Sequence, residues 1–178
     1  METHLPCIDR SIVLVGMPGS GKSSVGKRLA RRLGLPFVDA DQEIERSCQC
    51  TVAEIFERFG EDHFRDGERR VIARLLDGPA TVLATGGGAF ATEETRTLVL
   101  QRAHAVWLDA PIATLAERVR RKDGRPLLRG KDPIEVLTGL AARRSPAYAA
   151  AHIRVESGLD PHEAVVERIV EALSGRAG

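Results

Sequence analysis

Residues 16–23 read Gly-Met-Pro-Gly-Ser-Gly-Lys-Ser and match the phosphate-binding loop G-x-x-x-x-G-K-[ST] at every required position. The apolar run before them, at 11–15, predicts a buried strand, and Val25, Leu29 and Leu33 are spaced along one apolar helix face after them. The motif requires this order of strand, glycine turn and helix. We therefore predict that a nucleoside triphosphate binds here. The alternative is a glycine turn with an incidental lysine, which would not need these flanks.

The residue types of this loop suit phosphate oxygens. Glycine lacks a Cβ, so at positions 16, 19 and 21 backbone N–H groups can turn inward, and the helix N-terminus adds partial positive charge. We expect Lys22 to reach the β and γ phosphates and the Ser23 hydroxyl to bind Mg²⁺, a hard cation that prefers oxygen ligands. The predicted nucleotide-binding residues of the loop are Gly19, Ser20, Gly21, Lys22, Ser23 and Ser24.

The length and net charge of the chain favour a single-domain protein and argue against nucleic acid or a membrane as a partner. The chain has 178 residues, 43% of them hydrophobic, which suits one domain over residues 1–178. Its 26 basic and 25 acidic residues leave a net charge of +1, so we expect no nucleic acid and no membrane as partners. No apolar run approaches the roughly 20 residues that cross a bilayer, and residues 1–6 lack the pattern of a signal peptide. The sequence therefore predicts a cytoplasmic protein.

Short apolar runs recur between helical patterns. They fall at 36–39, 81–84, 103–108 and 152–155, and the run at 11–15 brings the predicted strands to five. Strands that alternate with helices predict a parallel sheet covered on both faces. The expected fold is a three-layer α/β/α architecture.

Two local patterns mark a helix start and a loop. The sequence T-V-A-E at 51–54 is typical of a capping box and predicts the beginning of a helix. Residues 121–133 are charged, rich in Gly and Pro and without periodicity, so we predict a mobile lid there. Arginines crowd this segment and its approach, and one of them could act as an arginine finger on the γ phosphate.

Two carboxylates directly follow the second predicted strand. Ligands of open α/β sheets bind outside the carboxyl ends of the strands, which makes Asp39 and Asp41 candidates by position. Such a pair could hold a metal-bound water and accept a hydroxyl proton from a phosphoryl acceptor. Alternatively, one of them, Asp41 in particular, caps the helix that contains Ile44. The two roles are compatible, because a cap position also faces the site.

Three successive glycines, Gly86, Gly87 and Gly88, follow the third predicted strand. They offer no side-chain packing, which suggests that a ligand contacts the main chain there, although a plain tight turn is the alternative. Glu68 follows Arg65 by three residues, so both would lie on one helix face, where the Glu68 carboxylate could fix the Arg65 guanidinium. With Arg144, Arg65 could clamp a carboxylate bidentately; singly, each arginine is more often a surface charge.

In their order along the chain, these motifs resemble the shikimate kinase family, which has the nucleoside-monophosphate-kinase-like P-loop fold. The resemblance runs from Ile12 to about Leu173. It rests on the phosphate loop, Asp39-Ala40-Asp41, Phe64-Arg65 with Glu68, Gly86-Gly87-Gly88, Arg125-Pro126-Leu127-Leu128, and Arg144 with Tyr148. It implies transfer of the γ-phosphoryl group of ATP to the 3-hydroxyl of shikimate, in the pathway to chorismate and the aromatic amino acids.

The resemblance also implies roles for residues on the acceptor side. Asp41 would hold the acceptor hydroxyls and could serve as the base, while Arg65 and Arg144 would clamp the carboxylate. Gly87 would contact the substrate through its backbone, with Gly86 and Gly88 beside it. The acceptor-binding region would span about residues 40–70.

On the nucleotide side, the resemblance implies that Ser23 binds Mg²⁺ and that Asp39 reaches the metal through water. Arg125 would contact ATP and the transferring phosphate from the lid, and Arg154 would contact the adenine. Which of Arg120 or Arg121 stacks on the adenine stays open. The family also suggests a monomer.

Two other functions are compatible with a phosphate loop. One is another small-molecule kinase of this architecture, such as a gluconate kinase or a nucleoside monophosphate kinase. A nucleotide acceptor would need a base-reading pocket, and gluconate would not specifically explain the three glycines together with Arg125-Pro126-Leu127-Leu128. A nucleotide-gated binding module without turnover would need no acceptor clamp. Asp41, Arg65 and Arg144 together argue against that second alternative.

Overall fold

Five parallel strands form one sheet in the part of the chain that the computed structural model describes, residues 8–121 and 130–176. The strands are β1 (Ile12–Val15), β2 (Phe37–Asp39), β3 (Val82–Ala84), β4 (His104–Asp109) and β5 (Ile153–Glu156). Their order across the sheet is β2-β3-β1-β4-β5, and all neighbours are parallel. Both ends of each strand lie within one residue of the predicted position, so the predicted sheet is confirmed.

Helices cover both faces of this sheet. In chain order, they are α1 (Lys22–Leu33), α2 (Ala40–Cys48), α3 (Val52–Leu76), α4 (Glu93–Arg102), α5 (Ile112–Arg120), α6 (Pro133–Tyr148) and α7 (His162–Ser174), with a 3₁₀ turn at Ala89–Ala91. Within the described ranges, none of them combines the length and the apolar composition that a membrane crossing requires.

Alternation along β1 explains the three layers. Successive side chains of a strand point to opposite faces, and all four residues of β1 are buried. Ile12 and Leu14 pack in one apolar cluster with α1 and α7. Val13 and Val15 pack in a second cluster with residues from α3 to α6. The three-layer α/β/α prediction is therefore confirmed.

A third and smaller apolar cluster lies between α2 and α3. Ile44 of α2 packs with Ile55 and Phe64 of α3, and Phe56 lies 4.6 Å from Phe64 between ring centroids. The predicted capping box at Thr51 begins α3, and Gly60 bends this helix with a φ of +83°. We call these packed side chains the α2–α3 cluster. It holds α2 against α3.

The parallel sheet brings the predicted functional segments to one edge. The loops after β1, β2 and β3 all leave the carboxyl ends of neighbouring strands. Ligands bind at this edge in open α/β sheets. The phosphate loop, Asp39 with Asp41, and the three glycines are therefore neighbours in space, although they are far apart in sequence.

Candidate active site

The phosphate loop joins β1 to α1 in a conformation that its glycines permit. Gly19 and Gly21 have φ values of +83° and +93°, in the left-handed region that residues with a Cβ rarely adopt. Lys22 Nζ donates hydrogen bonds to the carbonyl oxygens of Gly16 (2.8 Å) and Met17 (2.9 Å), which hold the ammonium group over the loop. This ammonium and the N-terminus of α1 together attract an anion.

A cavity of about 640 Å³ opens between this loop and the ends of β2 and β3. The sequence-predicted residues in its wall are Gly19, Gly21, Lys22, Ser23, Ser24, Asp39, Asp41, Gly86 and Gly87. Ser20 is buried behind the loop instead and does not line the cavity.

Asp39 links the phosphate loop to α2. The Ser23 hydroxyl donates to Asp39 Oδ2 at 3.3 Å, and Asp39 Oδ1 accepts from the N–H groups of Asp41 (3.0 Å) and Gln42 (3.3 Å). Asp39 is therefore the N-cap of α2. The interpretation that Asp41 caps this helix is wrong, because α2 begins at Ala40 and Asp41 already lies in its first turn.

The oxygen atoms of Ser23 and Asp39 suit Mg²⁺ chemically. A hydroxyl and a carboxylate are hard donors, and they lie side by side at the end of the loop that would hold the phosphates. Mg²⁺ in phosphate sites is bound through one or two protein groups together with substrate phosphates and water. Two neighbouring oxygen donors therefore fit this cation.

Asp41 presents a largely buried carboxyl group to the cavity. Burial raises its pKa, the neighbouring Asp39 raises it further, and Lys22 opposes the rise. Its Oδ1 is buried without a hydrogen-bond partner among the described residues. A buried oxygen of this kind is ready to accept a hydrogen bond from a bound hydroxyl group.

The three glycines form a floor that four charged side chains approach. A Cβ on Gly86 would lie 3.0 Å from Asp41 Oδ1 and 3.4 Å from Glu68 Oε1. A Cβ on Gly87 would lie 2.9 Å from Arg144 Nη1, and one on Gly88 would overlap the Arg65 guanidinium. Side chains at these three positions would therefore displace the charged groups.

Glu68 holds Arg65 in place from inside the protein. Arg65 Nη1 donates to Glu68 Oε2 at 2.7 Å, and Glu68 is fully buried. Burial raises the pKa of Glu68 to about 7, although the Arg65 charge works against the rise. Because one edge of the guanidinium is bound to Glu68, its orientation toward Gly88 is fixed.

Arg144 and Tyr148 lie one turn apart at the end of α6, on the other side of the glycines. The Tyr148 hydroxyl donates to the carbonyl oxygen of Gly87, and its ring packs 5.9 Å from that of Trp107. Burial raises the pKa of this hydroxyl, so it stays protonated as a donor. Tyr148 therefore fixes the Gly87 peptide beside Arg144.

We expect the wild-type protein to lose stability as the pH rises from 4.5 to 7, and we expect Glu68→Gln to lose less. The unfolded chain releases this proton near 4.5, whereas the folded protein keeps it up to about 7. The contribution of Glu68 is therefore complete below the lower pKa and is lost as the pH rises through the higher one. Across this pH range, the free energy of unfolding of the wild type should fall by up to about 3 kcal/mol more than that of the glutamine variant.

Urea unfolding at several pH values measures this slope. Glu61→Gln is the matched control, since Glu61 is an exposed glutamate on the same helix, 3.7 Å from Arg65. A wild-type slope in Glu68→Gln would show that Glu68 does not titrate in this range.

Comparison with known proteins gives the family. The shikimate kinase family model matches residues 18–174. A shikimate kinase of Caulobacter vibrioides is 60% identical over 168 residues, which cover 94% of this chain and 84% of that protein. The chain belongs to the shikimate kinase family. The solved structure of the Acinetobacter baumannii shikimate kinase in complex with shikimate is 37% identical, with a TM-score of 0.88, and the match covers 97% of this chain and 95% of that one.

The fold extends beyond the shikimate kinase family. A gluconokinase structure from Sinorhizobium meliloti has a TM-score of 0.67 at 22% identity, over 96% of this chain and 94% of that one. Identity at this level shows a shared fold and no more. The shikimate kinase family is therefore favoured over the gluconate kinase alternative.

Among the described residues, the other predicted site residues of this shikimate kinase family member that do not line the cavity are Gly88, Arg65 and Arg144, which meet around the three glycines, and Arg154. Arg154 lies on β5, where its guanidinium binds Asp109 Oδ2 at 2.6 Å and covers the Trp107 ring. The structure does not bring it to the cavity, and its contact with the adenine stays a prediction. Arg125 lies outside the described residues, as does the rest of the predicted lid between 122 and 129.

The cavity wall also contains residues that the sequence did not single out. Arg118 of α5 and His162 of α7 lie at the end of the cavity beside Gly19 and Gly21. Burial lowers the pKa of His162, and the charges of nearby arginines lower it further. The position of His162 in the cavity could not be predicted from its local sequence, because its neighbours in the cavity come from distant segments.

Proposed function

We propose that this protein transfers the γ-phosphoryl group of ATP to the 3-hydroxyl of shikimate, giving ADP and shikimate 3-phosphate. The observation that carries the proposal is the placement of Asp41, Arg65 and Arg144 around the three glycines, next to the phosphate loop. Two guanidinium groups and a carboxylate suit a small acid that carries hydroxyl groups. Membership of the shikimate kinase family supports the same acceptor.

On the acceptor side, Arg65 and Arg144 bind the carboxylate of shikimate. Their guanidinium groups lie beside adjacent glycines, so one carboxylate can meet both. Gly86, Gly87 and Gly88 let the acceptor approach the main chain. Asp41 Oδ1 accepts a hydrogen bond from the 3-hydroxyl and takes its proton as that oxygen bonds to the γ phosphorus.

On the donor side, the phosphate loop binds the ATP phosphates and Lys22 moves onto the β and γ oxygens. Ser23 would hold Mg²⁺ directly, and Asp39 would hold it through water. When bound there, Mg²⁺ would supply positive charge to offset the negative charge of the phosphates. As the acceptor oxygen bonds to the γ phosphorus, the bond from the γ phosphorus to the bridging oxygen breaks and ADP leaves. Arg125 remains the predicted lid residue that contacts the transferring phosphate.

At the far end of the cavity, we place the adenine beside Arg121. Both arginines are in exposed ion pairs, Arg121 with Glu117 and Arg120 with Asp132, but Arg121 lines the cavity and Arg120 does not. A guanidinium plane can stack on an aromatic base. We therefore propose that Arg121, rather than Arg120, stacks on the adenine.

A coupled assay of ADP release tests the function. With shikimate, MgATP and wild-type protein, we expect ADP release that stops when shikimate is left out, and ³¹P NMR should show a new phosphate monoester at the 3-position. Gluconate and a nucleoside monophosphate serve as rival acceptors at the same concentration. Turnover with either rival but not with shikimate would contradict the proposal.

The same assay addresses the binding-module alternative. A protein that binds ADP by calorimetry but releases none with any acceptor would be a module without turnover. The single domain over residues 1–178, the monomeric state and the cytoplasmic location stay predictions from the sequence. Gel filtration with light scattering checks the oligomeric state directly.

A further inference from the structure

The carbonyl oxygens on the outer side of the phosphate loop are bound by side chains from two distant segments. Arg118 Nη1 donates to the carbonyl oxygen of Gly19 at 3.2 Å. The Ser157 hydroxyl donates to the carbonyl oxygen of the next residue, Ser20. Ser157 follows β5, whereas Arg118 is in the last turn of α5. Two successive peptides of the loop are therefore fixed from outside.

Arg118 also binds the backbone of the loop that carries Ser157. Arg118 Nη1 donates to the carbonyl oxygen of Ser157 at 3.0 Å, and Nη2 donates to that of Gly158. The Ser157 N–H donates to Asp109 O at the end of β4, at 2.7 Å. One guanidinium thus connects the phosphate loop with the loop after β5. Ser157 is 2% exposed, so its bond to the phosphate loop is shielded from water, whereas the Arg118 guanidinium is half-buried.

The geometry of a peptide explains what these bonds do. The C=O and N–H of one peptide point in opposite directions, so a bound carbonyl fixes the direction of the N–H. The peptide whose carbonyl Ser157 binds carries the N–H of Gly21, the last residue before α1. The peptide that Arg118 binds carries the Ser20 N–H, which donates to Met17 O at 3.1 Å and closes the loop's turn. Both peptides are thereby held before nucleotide binds.

We propose that Arg118 and Ser157 are positioning residues that preorganise the phosphate loop for the nucleotide. The inference rests on the proposed function only in that the loop binds MgADP and MgATP. Neither residue needs to touch the phosphates: each acts through a loop carbonyl. Glycines at 19 and 21 give this loop its conformational freedom, and the external bonds restrict that freedom to the binding conformation.

Calorimetric titration with MgADP tests the inference. We expect Arg118→Ala and Ser157→Ala each to raise the Kd for MgADP about tenfold, since each loses a hydrogen bond that fixes a peptide of the loop, a charged one at Arg118 and a buried one at Ser157. In the double variant, the Kd should rise by less than the product of the two single-variant factors, because Arg118 also holds the loop that carries Ser157. The KM for ATP should rise while the KM for shikimate stays at the wild-type value. A purely structural defect would lower the active fraction and leave the Kd unchanged.

Two further variants keep the test decisive. Arg118→Lys keeps the charge, but its N–H donors all lie on one nitrogen, whereas Arg118 uses both Nη1 and Nη2, so its Kd should lie between those of the wild type and Arg118→Ala, even if the alanine variant folds poorly. Arg176→Ala is the matched control: it removes a guanidinium bond to the carbonyl of His152, at the other end of β5, and should leave the Kd unchanged.

The outcomes separate this inference from the proposed function. A wild-type Kd in folded Arg118→Ala and Ser157→Ala would overturn the positioning role and leave the function intact. A wild-type protein that does not bind MgADP would overturn both.

Discussion

Asp41→Asn should lower kcat by roughly 10²–10⁴-fold, the range for loss of a proton acceptor. Asparagine has nearly the same shape as aspartate but cannot take the hydroxyl proton. The carboxyl of Asp41 is buried beside Gly86, and its Oδ1 has no hydrogen-bond partner among the described residues. The amide can still hydrogen-bond the acceptor hydroxyl, so we expect the Kd for shikimate to change much less than kcat.

Single-turnover kinetics and calorimetry together measure this split. Glu43→Gln is the matched control, because Glu43 is an acidic residue of the same helix that pairs with Arg46 and Arg74 at the surface. Surface pairs contribute little, so its kinetics should match the wild type. A kcat in Asp41→Asn within a few-fold of wild type would exclude Asp41 as the proton acceptor. Asp41 would then only position the hydroxyl group.

Arg144→Ala should weaken shikimate binding by roughly 10²-fold, because it removes one of two charge-assisted partners of the carboxylate. Arg144 Nη1 lies beside Gly87, and its charge acts less strongly on the buried Glu68 than the charge of Arg65 does. We therefore expect the variant to fold normally and to raise the KM for shikimate more than it lowers kcat. Arg143→Ala, at the neighbouring exposed position of α6, is the matched control.

Arg65→Ala should weaken shikimate binding similarly but should also destabilise the protein. It leaves the buried Glu68 carboxylate without its ion-pair partner, a loss of about 3–5 kcal/mol if the carboxylate stays ionised. The double variant Arg65→Ala/Glu68→Gln should recover stability but not shikimate binding. Normal shikimate affinity in both Arg65→Ala and Arg144→Ala would rule out the carboxylate clamp.

The strands could be predicted from the sequence because each is a short apolar run between helical patterns. A parallel sheet buries both faces of its strands, so β1 and β4 appear as continuous apolar segments. The phosphate loop could be predicted because its chemistry depends on residue types at fixed spacing. The capping box at Thr51 has the same property, and the structure confirms it.

The carboxylates show where spacing is not enough. Two aspartates separated by one residue can each begin a helix, and only the backbone decides which one does. Asp39 caps α2 because β2 ends there, and this leaves Asp41 free to face the glycines. The charged groups of Arg65 and Arg144 meet around the glycines only through the tertiary fold, which no local pattern encodes.

Arg118 and Arg154 also show that local sequence does not determine which arginines reach the cavity. Arg118 was not predicted there and lines it, whereas Arg154 was expected there and does not. Arg118 is one of several arginines near the end of α5, and its partners are backbone carbonyls at positions 19, 157 and 158. Backbone acceptors have no residue type, so they leave no trace in the sequence. Arg154 falls where a nucleotide contact was expected, but Asp109 across the β4–β5 pair binds its guanidinium instead.

The α2–α3 cluster has a consequence for how acceptor preference can diverge in this architecture. Its apolar side chains pack with one another and form a cluster separate from the two that cover the sheet. Substitutions in the cluster can therefore remodel the segment of α3 that carries Arg65 while leaving the two clusters that cover the sheet intact. We expect evolutionary change in acceptor choice to accumulate there, and laboratory selection for new acceptors to succeed there first.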